Sequence, residues 1–174
     1  MVGVSAVMPT TLDGGRELAV LAAASKAADF ELNELTIADI QTAIASGKLT
    51  SHSLTEKYLA RIEEIDRRSP AVNSIIELNP DALAIADGLD KERRDKGTRG
   101  PLHGVPVLIK DNIDTADRMQ TTAGSLALLG SHAARDSFVA QRLRQAGAVI
   151  CLPPAGPSRV RFALSCSFAL AMRR

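Results

Sequence analysis

The chain has 174 residues, of which 45% are hydrophobic and 24% charged, a balance typical of a globular domain with one buried core. Its formal net charge of +1 provides no general attraction to nucleic acid or to an anionic membrane, so no nucleic-acid partner is expected. No apolar run approaches the roughly 20 residues of a membrane span. Two cysteines, Cys151 and Cys166, are too few for a disulfide framework, which favours a reducing, cytoplasmic location.

The first ordered element is predicted after an N-terminal leader. Residues 1–33 mix Gly, Ala, Ser and Thr without sustained periodicity, and we expect them to form a loosely ordered, flexible leader. Thr36, followed three residues later by Asp39, predicts the start of a short amphipathic helix. Gly47 is expected to end it.

Two further helices are predicted before the middle of the chain. The first runs from residue 50 or 51 to just before Pro70, with these apolar residues on one face: Leu54, Tyr58, Ile62 and Ile65. Residues 72–78 (VNSIIEL) have the composition of a strand, and Asn79-Pro80-Asp81 predicts the start of the next helix. Its inward face is expected to hold Ala82, Ile85, Ala86 and Leu89. The charged stretch 90–97 (DKERRDKG) is interpreted as a solvated face and helix end.

The pattern after the turn at 97–106 indicates an α/β fold. Residues 107–109 are three apolar residues that predict a buried strand with Lys110 at its end. Asp136 is a candidate cap for a helix with Val139, Leu143 and Ala146 facing inward, and residues 148–152 resume as strand. Strand, helix and strand in this order make a βαβ unit, which implies a parallel sheet.

Lys110 has three possible roles. A lysine at a strand end ordinarily lays its methylenes on apolar neighbours and keeps its ammonium group in water. In open α/β sheets, however, ligands bind at the carboxyl ends of parallel strands, where Lys110 is expected. Apolar walls around the amine would favour its neutral form, which can act as a general base. A phosphate-binding or Schiff-base lysine is the third possibility, but no Gly-rich phosphate loop lies beside it.

Three segments, LHGVPVLIKDNIDT, TTAGSLALLGS and ARDSFVAQRLRQAGAVI, resemble in order and spacing the N-terminal part of the amidase signature family. The similarity begins near Leu35 and extends to Ile150. It implies that family's mixed sheet flanked by helices, here incomplete, with N-terminal helices preceding the βαβ unit. Lys110 matches the lysine of the family's Ser–cis-Ser–Lys triad, which implies a base for the hydrolysis of carbon–nitrogen bonds in small amides.

A second segment of the resemblance implies substrate contacts. Thr122, Ala123, Gly124 and Ser125 resemble the family's loop near the active-site cleft, although a simple turn before an apolar helix is an equally good explanation. Neither Ser125 nor Ser131 lies in a G-x-S-x-G elbow, so neither is expected to be a nucleophile.

Three more polar residues lie close to the lysine in sequence. His103 matches a family position ahead of the strand and is interpreted as a turn residue rather than a base. Asp111 and Asp114 are interpreted as solvated loop carboxylates, with holding Lys110 in place or orienting backbone amides as the alternatives. No metal site and no organic cofactor are predicted, because neither a ligand cluster nor a dinucleotide fingerprint is found.

The resemblance stops after Ile150, where the family continues with a Gly-Lys stretch and both triad serines. Residues 153–174 instead contain four arginines and no lysine or acidic residue, which suggests translation in a shifted frame of GC-rich DNA. We therefore expect a leader at 1–33, the N-terminal part of an amidase domain at 34–152 and an atypical tail at 153–174. On this hypothesis the chain is a truncated fragment without hydrolytic activity.

Two other functions remain open from the sequence. The same lysine motif occurs in glutamine-hydrolysing amidotransferase subunits of the A type, so the resemblance also permits a fragment of such a protein. A non-catalytic protein that binds an acidic partner or a membrane through its basic tail is an alternative of another class, because apolar residues there lie between flanking arginines.

Overall fold

The computed structural model describes residues 30–68 and 74–151. The chain divides into two units after Asn33. In the first unit, residues 30–33 form a turn in which the Asn33 N–H donates to the Phe30 carbonyl at 2.8 Å. All elements below belong to the second unit. Most of the predicted leader and the basic tail lie outside the described residues, so the three predicted domain ranges stay predictions.

Two capped helices open the second unit, as predicted. Helix α1 spans Ile37–Ala45, and Thr36 and Asp39 form a complete capping box before it. Helix α2 spans Ser51–Ile62 and continues as a π-helical segment, Glu63–Arg68. Ile40 and Ile44 are the buried residues of α1. Of the four apolar residues predicted to share a face of the second helix, Leu54 is buried, whereas Tyr58, Ile62 and Ile65 are half-buried.

The strand predicted at 72–78 is wrong for residues 74–78, which have no regular secondary structure. The side chain of Asp66, in the π-helical segment, binds backbone N–H groups of this stretch that would otherwise pair with a neighbouring strand. Its carboxylate accepts the Ser74 N–H at 2.6 Å and the Ile75 N–H at 3.1 Å. These backbone groups are therefore satisfied by a side chain and not by a sheet.

Helix α3 spans Ala82–Lys96 and starts where the Asn-Pro-Asp signal predicts. The Asn79 side chain accepts the Asp81 N–H at 2.9 Å and donates to the Ile150 carbonyl at 2.9 Å, so it joins the helix start to the sheet. The solvated face predicted at 90–97 is wrong for Asp90, which is 9% exposed. Its carboxylate accepts the N–H groups of Ser51 and His52 at 2.8 and 3.0 Å and thereby caps α2.

The predicted βαβ unit is confirmed. Strand β1 (Pro106–Val107) pairs in parallel with strand β2 (Val149–Ile150), with Pro106 opposite Val149. Helix α4 spans Phe138–Gln145 and connects them. The mixture of helices with a small parallel sheet is an α/β arrangement. The buried strand predicted at 107–109 is wrong for Leu108, which is 43% exposed and lies beyond the paired residues.

Strand β2 is the centre of the core, because apolar side chains cover both of its faces. Val149 and Cys151 pack on one face with α3 residues Ala82, Ile85, Ala86 and Leu89. Ile150 packs on the other face with Met119, Ala140 and the half-buried Ile109, Ile113 and Leu143. Burial raises the pKa of the Cys151 thiol to about 12, so this cysteine stays protonated and is a packing residue.

Helix α4 differs from its prediction in its first turn. Ser137, not Asp136, is the N-cap, and its side chain accepts the Ala140 N–H. Asp136 binds elsewhere: it accepts the Ala116 N–H at 2.7 Å and pairs with Arg144 at 3.0 Å. Val139 is 49% exposed, and the buried residue of this turn is Ala140.

The turn between α3 and β1 packs closely against its neighbours. Gly104 has a φ of +78°, and a Cβ built on it would overlap the Ser51 hydroxyl at the start of α2. The Gly104 N–H donates to the Gly147 carbonyl at 2.7 Å. Within residues 30–68 and 74–151, no helix combines the length and apolar character that crossing a bilayer requires.

Replacing Gly104 with alanine is predicted to destabilise the protein through this contact. Gly47 provides a matched control, because it has a similar φ of +75° and nothing within 4 Å of a built Cβ. Both substitutions carry the strain of a left-handed alanine, but only Gly104→Ala also forces the backbone away from Ser51. We expect Gly104→Ala to lower the free energy of unfolding by about 1 to 3 kcal/mol more than Gly47→Ala in urea titrations. Equal losses would show that the contact relaxes freely.

Asp90 is predicted to make the stability depend on acid pH. Burial raises the pKa of its carboxyl group, but the N–H groups of His52 and Ser51 outweigh this effect, so the pKa lies below the usual Asp value. A lowered pKa in the folded state contributes stability above the unfolded value of about 3.9, and that stability is lost as the pH falls through the folded value.

Asp90→Asn should therefore lower the free energy of unfolding by about 1.5 to 3 kcal/mol at pH 7, as expected for hydrogen bonds to a charged group. The difference from the parent protein should shrink below about pH 4. Asp95→Asn, at an exposed position of the same helix, is the control. A deficit that stays constant down to pH 2 would contradict the assignment.

Candidate functional site

Lys110 follows the paired residues of β1 by three positions and is exposed. Leu108, two residues earlier, is also exposed, whereas Ile109 between them is half-buried and packs into the core. The Lys110 carbonyl accepts the Ile113 N–H at 3.0 Å, which starts a turn directly after the lysine. The described residues therefore place Lys110 three residues beyond the carboxyl end of β1, not directly at the end of a strand, and do not provide apolar walls around its amine.

The side chain of Asp111, the residue directly after the lysine, accepts three hydrogen bonds. It is 5% exposed, so its interpretation as a solvated carboxylate is wrong. One carboxylate oxygen accepts the Thr122 N–H at 2.9 Å. The other accepts the Thr122 hydroxyl at 2.6 Å and the Gly124 N–H at 3.3 Å. Asp111 thereby links the lysine segment to the turn that follows eleven residues later.

The Thr122–Ser125 turn contains two consecutive residues with a left-handed backbone conformation. Ala123 and Gly124 both have positive φ, at 48° and 77°, and alanine is seldom found in this region. The Ala123 N–H donates to the Asp111 carbonyl and the Ser125 N–H to the Thr122 carbonyl. All four N–H groups of the turn therefore have acceptors within the protein, either on Asp111 or on Thr122.

The predicted substrate-binding residues separate into two groups. Thr122 is fully buried, and its hydroxyl is directed to Asp111, so it supports the turn. Ala123, Gly124 and Ser125 are exposed on the outside of the turn. Ser131 is half-buried, and its carbonyl accepts the Thr121 N–H at 3.1 Å.

A second acidic side chain holds the segment that leads into the turn. Glu77 accepts the Gln120 N–H at 2.9 Å, and Gln120 in turn accepts the Gly130 N–H through its side-chain oxygen at 2.6 Å. Desolvation raises the pKa of Glu77 above its usual value, although the bond from Gln120 opposes this shift. The polypeptide on both sides of the turn is thus anchored by hydrogen bonds.

His103 is a buried residue in the turn before β1, consistent with its interpretation as a turn residue. One ring nitrogen lies 2.9 Å from the Leu89 carbonyl, and the other lies 3.1 Å from the Arg99 N–H. A neutral ring that donates to Leu89 and accepts from Arg99 satisfies both contacts. The backbone of Gly147 packs against the ring, and a Cβ built on Gly147 would lie 3.1 Å from the ring nitrogen Nδ1.

Asp114 is exposed, in agreement with its interpretation as a solvated carboxylate. It lines an open cleft of about 590 Å³ at the start of α4, which includes neither Lys110 nor the turn; the lining residues are Asp114, Arg135, Asp136, Ser137, Phe138 and Gln141. Among the described residues, His, Cys, Asp and Glu side chains form no group of three that could hold a metal ion.

Sequence reasoning offered backbone amides as one alternative partner of Asp111 but did not identify the turn that it binds. No short motif contains the bond between Asp111 and the turn, because its partners are 11 and 13 residues apart. The one available signal is Gly124 directly after Thr122 and Ala123, since glycine permits the positive φ that the turn requires.

The sequence of this chain is similar to those of known amidases. The family model described as Amidase matches residues 53–152, more than half of the chain. An Arabidopsis thaliana protein with a provisional amidase name is 52% identical over 123 residues, 70% of this chain and 23% of that protein. The A-type subunit of the glutamyl-tRNA(Gln) amidotransferase from Chloroflexus aurantiacus is 42% identical over 121 residues, 69% of this chain and 24% of that protein.

A solved structure gives the same result. The native peptide amidase from Stenotrophomonas maltophilia is 49% identical and has a TM-score of 0.68, over 71% of this chain and 25% of its own. This chain thus spans about a quarter of the length of the relatives that it matches. The matched stretch includes β1, Lys110, the Thr122–Ser125 turn, α4 and β2, and the chain belongs to the amidase family.

Proposed function

We propose that residues 34–152 form the N-terminal part of an amide-hydrolysing domain in which Lys110 is the general base. The position of Lys110 carries this proposal. It lies three residues beyond the carboxyl end of β1, directly before the aspartate that holds the Thr122–Ser125 turn, and within the stretch that matches the family model. Ligands of open α/β sheets bind at this end of the strands.

The proposed chemistry is acyl transfer through a serine. The neutral amine of Lys110 accepts a proton through a bridging serine, so that a second serine attacks the amide carbonyl. The carbon–nitrogen bond breaks, the leaving nitrogen takes up a proton, and water then releases the acyl group. We assign both serines to the part of the relatives' length that this chain does not span, together with the apolar walls that keep the amine neutral.

Small amides are the proposed substrate class. One relative is named a peptide amidase, and one of its structures contains the competitive inhibitor chymostatin. Another relative is the A-type subunit of a glutamyl-tRNA(Gln) amidotransferase, so a glutamine-hydrolysing protein of that type is the second candidate. The identity of 52% to an amidase-named protein, against 42% to the amidotransferase protein, favours the amidase.

The cytoplasm is the proposed location of the protein, because a chain with only two cysteines suits a reducing compartment.

The polypeptide of residues 1–174 is predicted to hydrolyse no amide by itself. The loss of a single oxyanion donor slows acyl transfer by about 100-fold to 1,000-fold, and this chain is proposed to supply neither these donors nor a nucleophile. Incubation of the folded polypeptide with a peptide amide and with glutamine, followed by ammonia detection, should show the uncatalysed rate. Any turnover above the uncatalysed rate would contradict this prediction, and turnover that Lys110→Ala leaves intact would also contradict the assignment of the base.

The role of Lys110 is best tested in a chimera. Residues 34–152 replace the matching quarter of the Stenotrophomonas maltophilia peptide amidase, which supplies the rest of the domain. Lys110→Ala should reduce kcat by about 100-fold to 10,000-fold, the usual contribution of a general base. Lys48→Ala, at an exposed lysine after α1, should leave kcat unchanged.

An active chimera whose kcat is insensitive to Lys110→Ala would overturn the assignment of the base.

A further inference from the structure

The buried carboxylate of Asp111 has no part in the proton transfer described above. Its two oxygens already accept three hydrogen bonds from the turn, two from Thr122 and one from Gly124. A carboxylate with its oxygens engaged in this way is not free to accept a proton from a substrate. Asp111 therefore acts on other parts of the protein and not on the reacting atoms.

The chemistry of these contacts makes the attachment strong. Burial of a carboxylate is unfavourable unless hydrogen bonds compensate for the lost water, and here N–H and hydroxyl groups of the turn provide them. Hydrogen bonds to a charged acceptor are roughly twice as strong as neutral ones. The bonds also hold Ala123 in a left-handed conformation that alanine does not adopt readily.

We propose that Asp111 is a positioning residue that holds the Thr122–Ser125 turn beside Lys110. Its backbone continues from the lysine, and its side chain binds the turn, so the base and the turn move as one rigid unit. The exposed outer side of the turn, from Ala123 to Ser125, then forms a fixed wall of the amide-binding site. This role rests on the proposed function, because the wall borders a site only if Lys110 is the base.

Amide hydrogen exchange and ¹⁵N relaxation of the whole 174-residue chain test the attachment directly. In Asp111→Asn, one oxygen becomes an NH₂ group that cannot accept from the turn. We expect the N–H groups of Thr122 and Gly124 to exchange at least about 10-fold faster. The order parameters of the turn should fall from about 0.85 towards 0.6.

Asp90→Asn separates this local effect from a general loss of stability. Both aspartates are buried and both accept two backbone N–H groups, but Asp90 binds the start of α2. Asp90→Asn should accelerate exchange at Ser51 and His52 and leave the order parameters of the turn unchanged. Equal loosening of the turn in both variants would overturn the proposal, because Asp111 would then contribute only to overall stability.

Substitutions of Thr122 keep the test decisive if Asp111→Asn fails to fold. Thr122→Val has nearly the same shape but lacks the hydroxyl that donates to Asp111 at 2.6 Å, whereas Thr122→Ser retains it. The Thr122 N–H, which donates to Asp111 and not to the hydroxyl, is the probe, because the hydroxyl itself accepts the Gly124 N–H at 3.2 Å. We expect faster exchange at the Thr122 N–H in the valine variant and recovery in the serine variant. Indistinguishable exchange in the two variants would overturn the proposal. These measurements need no hydrolysis, so their failure is distinct from failure of the Lys110 assignment.

Discussion

The structure depends on the burial of strand β2 between two layers of side chains. Val149 and Ile150 are at most 1% exposed, and the Val149 N–H donates to the Val105 carbonyl at 2.9 Å. This pairing sets the direction of β1 and therefore the end of the sheet at which Lys110 emerges. A strand covered on both faces needs apolar residues throughout, which explains the run Ala148 to Cys151. The candidate site is thus positioned by a strand that contributes no side chain to it.

Buried aspartates join the segments around this strand. Asp66, Asp90 and Asp111 each accept N–H groups from backbone that is 8 to 39 residues away. In each case a carboxylate inside the protein satisfies donors that would otherwise lack partners. Polar contacts therefore join α3 to the start of α2, the π-helical segment to residues 74–75, and the lysine segment to the Thr122–Ser125 turn, in addition to apolar packing. Loss of one carboxylate leaves several donors unsatisfied at once.

The proposed chemistry requires two parts of a domain, residues 34–152 of this chain and the part of its relatives that this chain does not span. The described residues provide the proposed base, Lys110, beyond the end of β1 and the turn that Asp111 holds, but Lys110 is exposed among them. A neutral lysine requires apolar surroundings, so the proposed mechanism depends on further residues that enclose the amine. The hydrogen bonds of Asp111 to the turn lie entirely within the described residues.

Local sequence signals alone determined the capping box at Thr36, the inward face of α3 and the βαβ order, because caps and periodicity act within a few residues. The resemblance to amidases was also readable without a structure. Only tertiary structure decided that residues 74–78 are not a strand, that Asp90 and Asp111 are buried and that Val139 is exposed. These outcomes depend on partners distant in sequence, and a carboxylate looks the same in a sequence whether it binds water or a backbone N–H group.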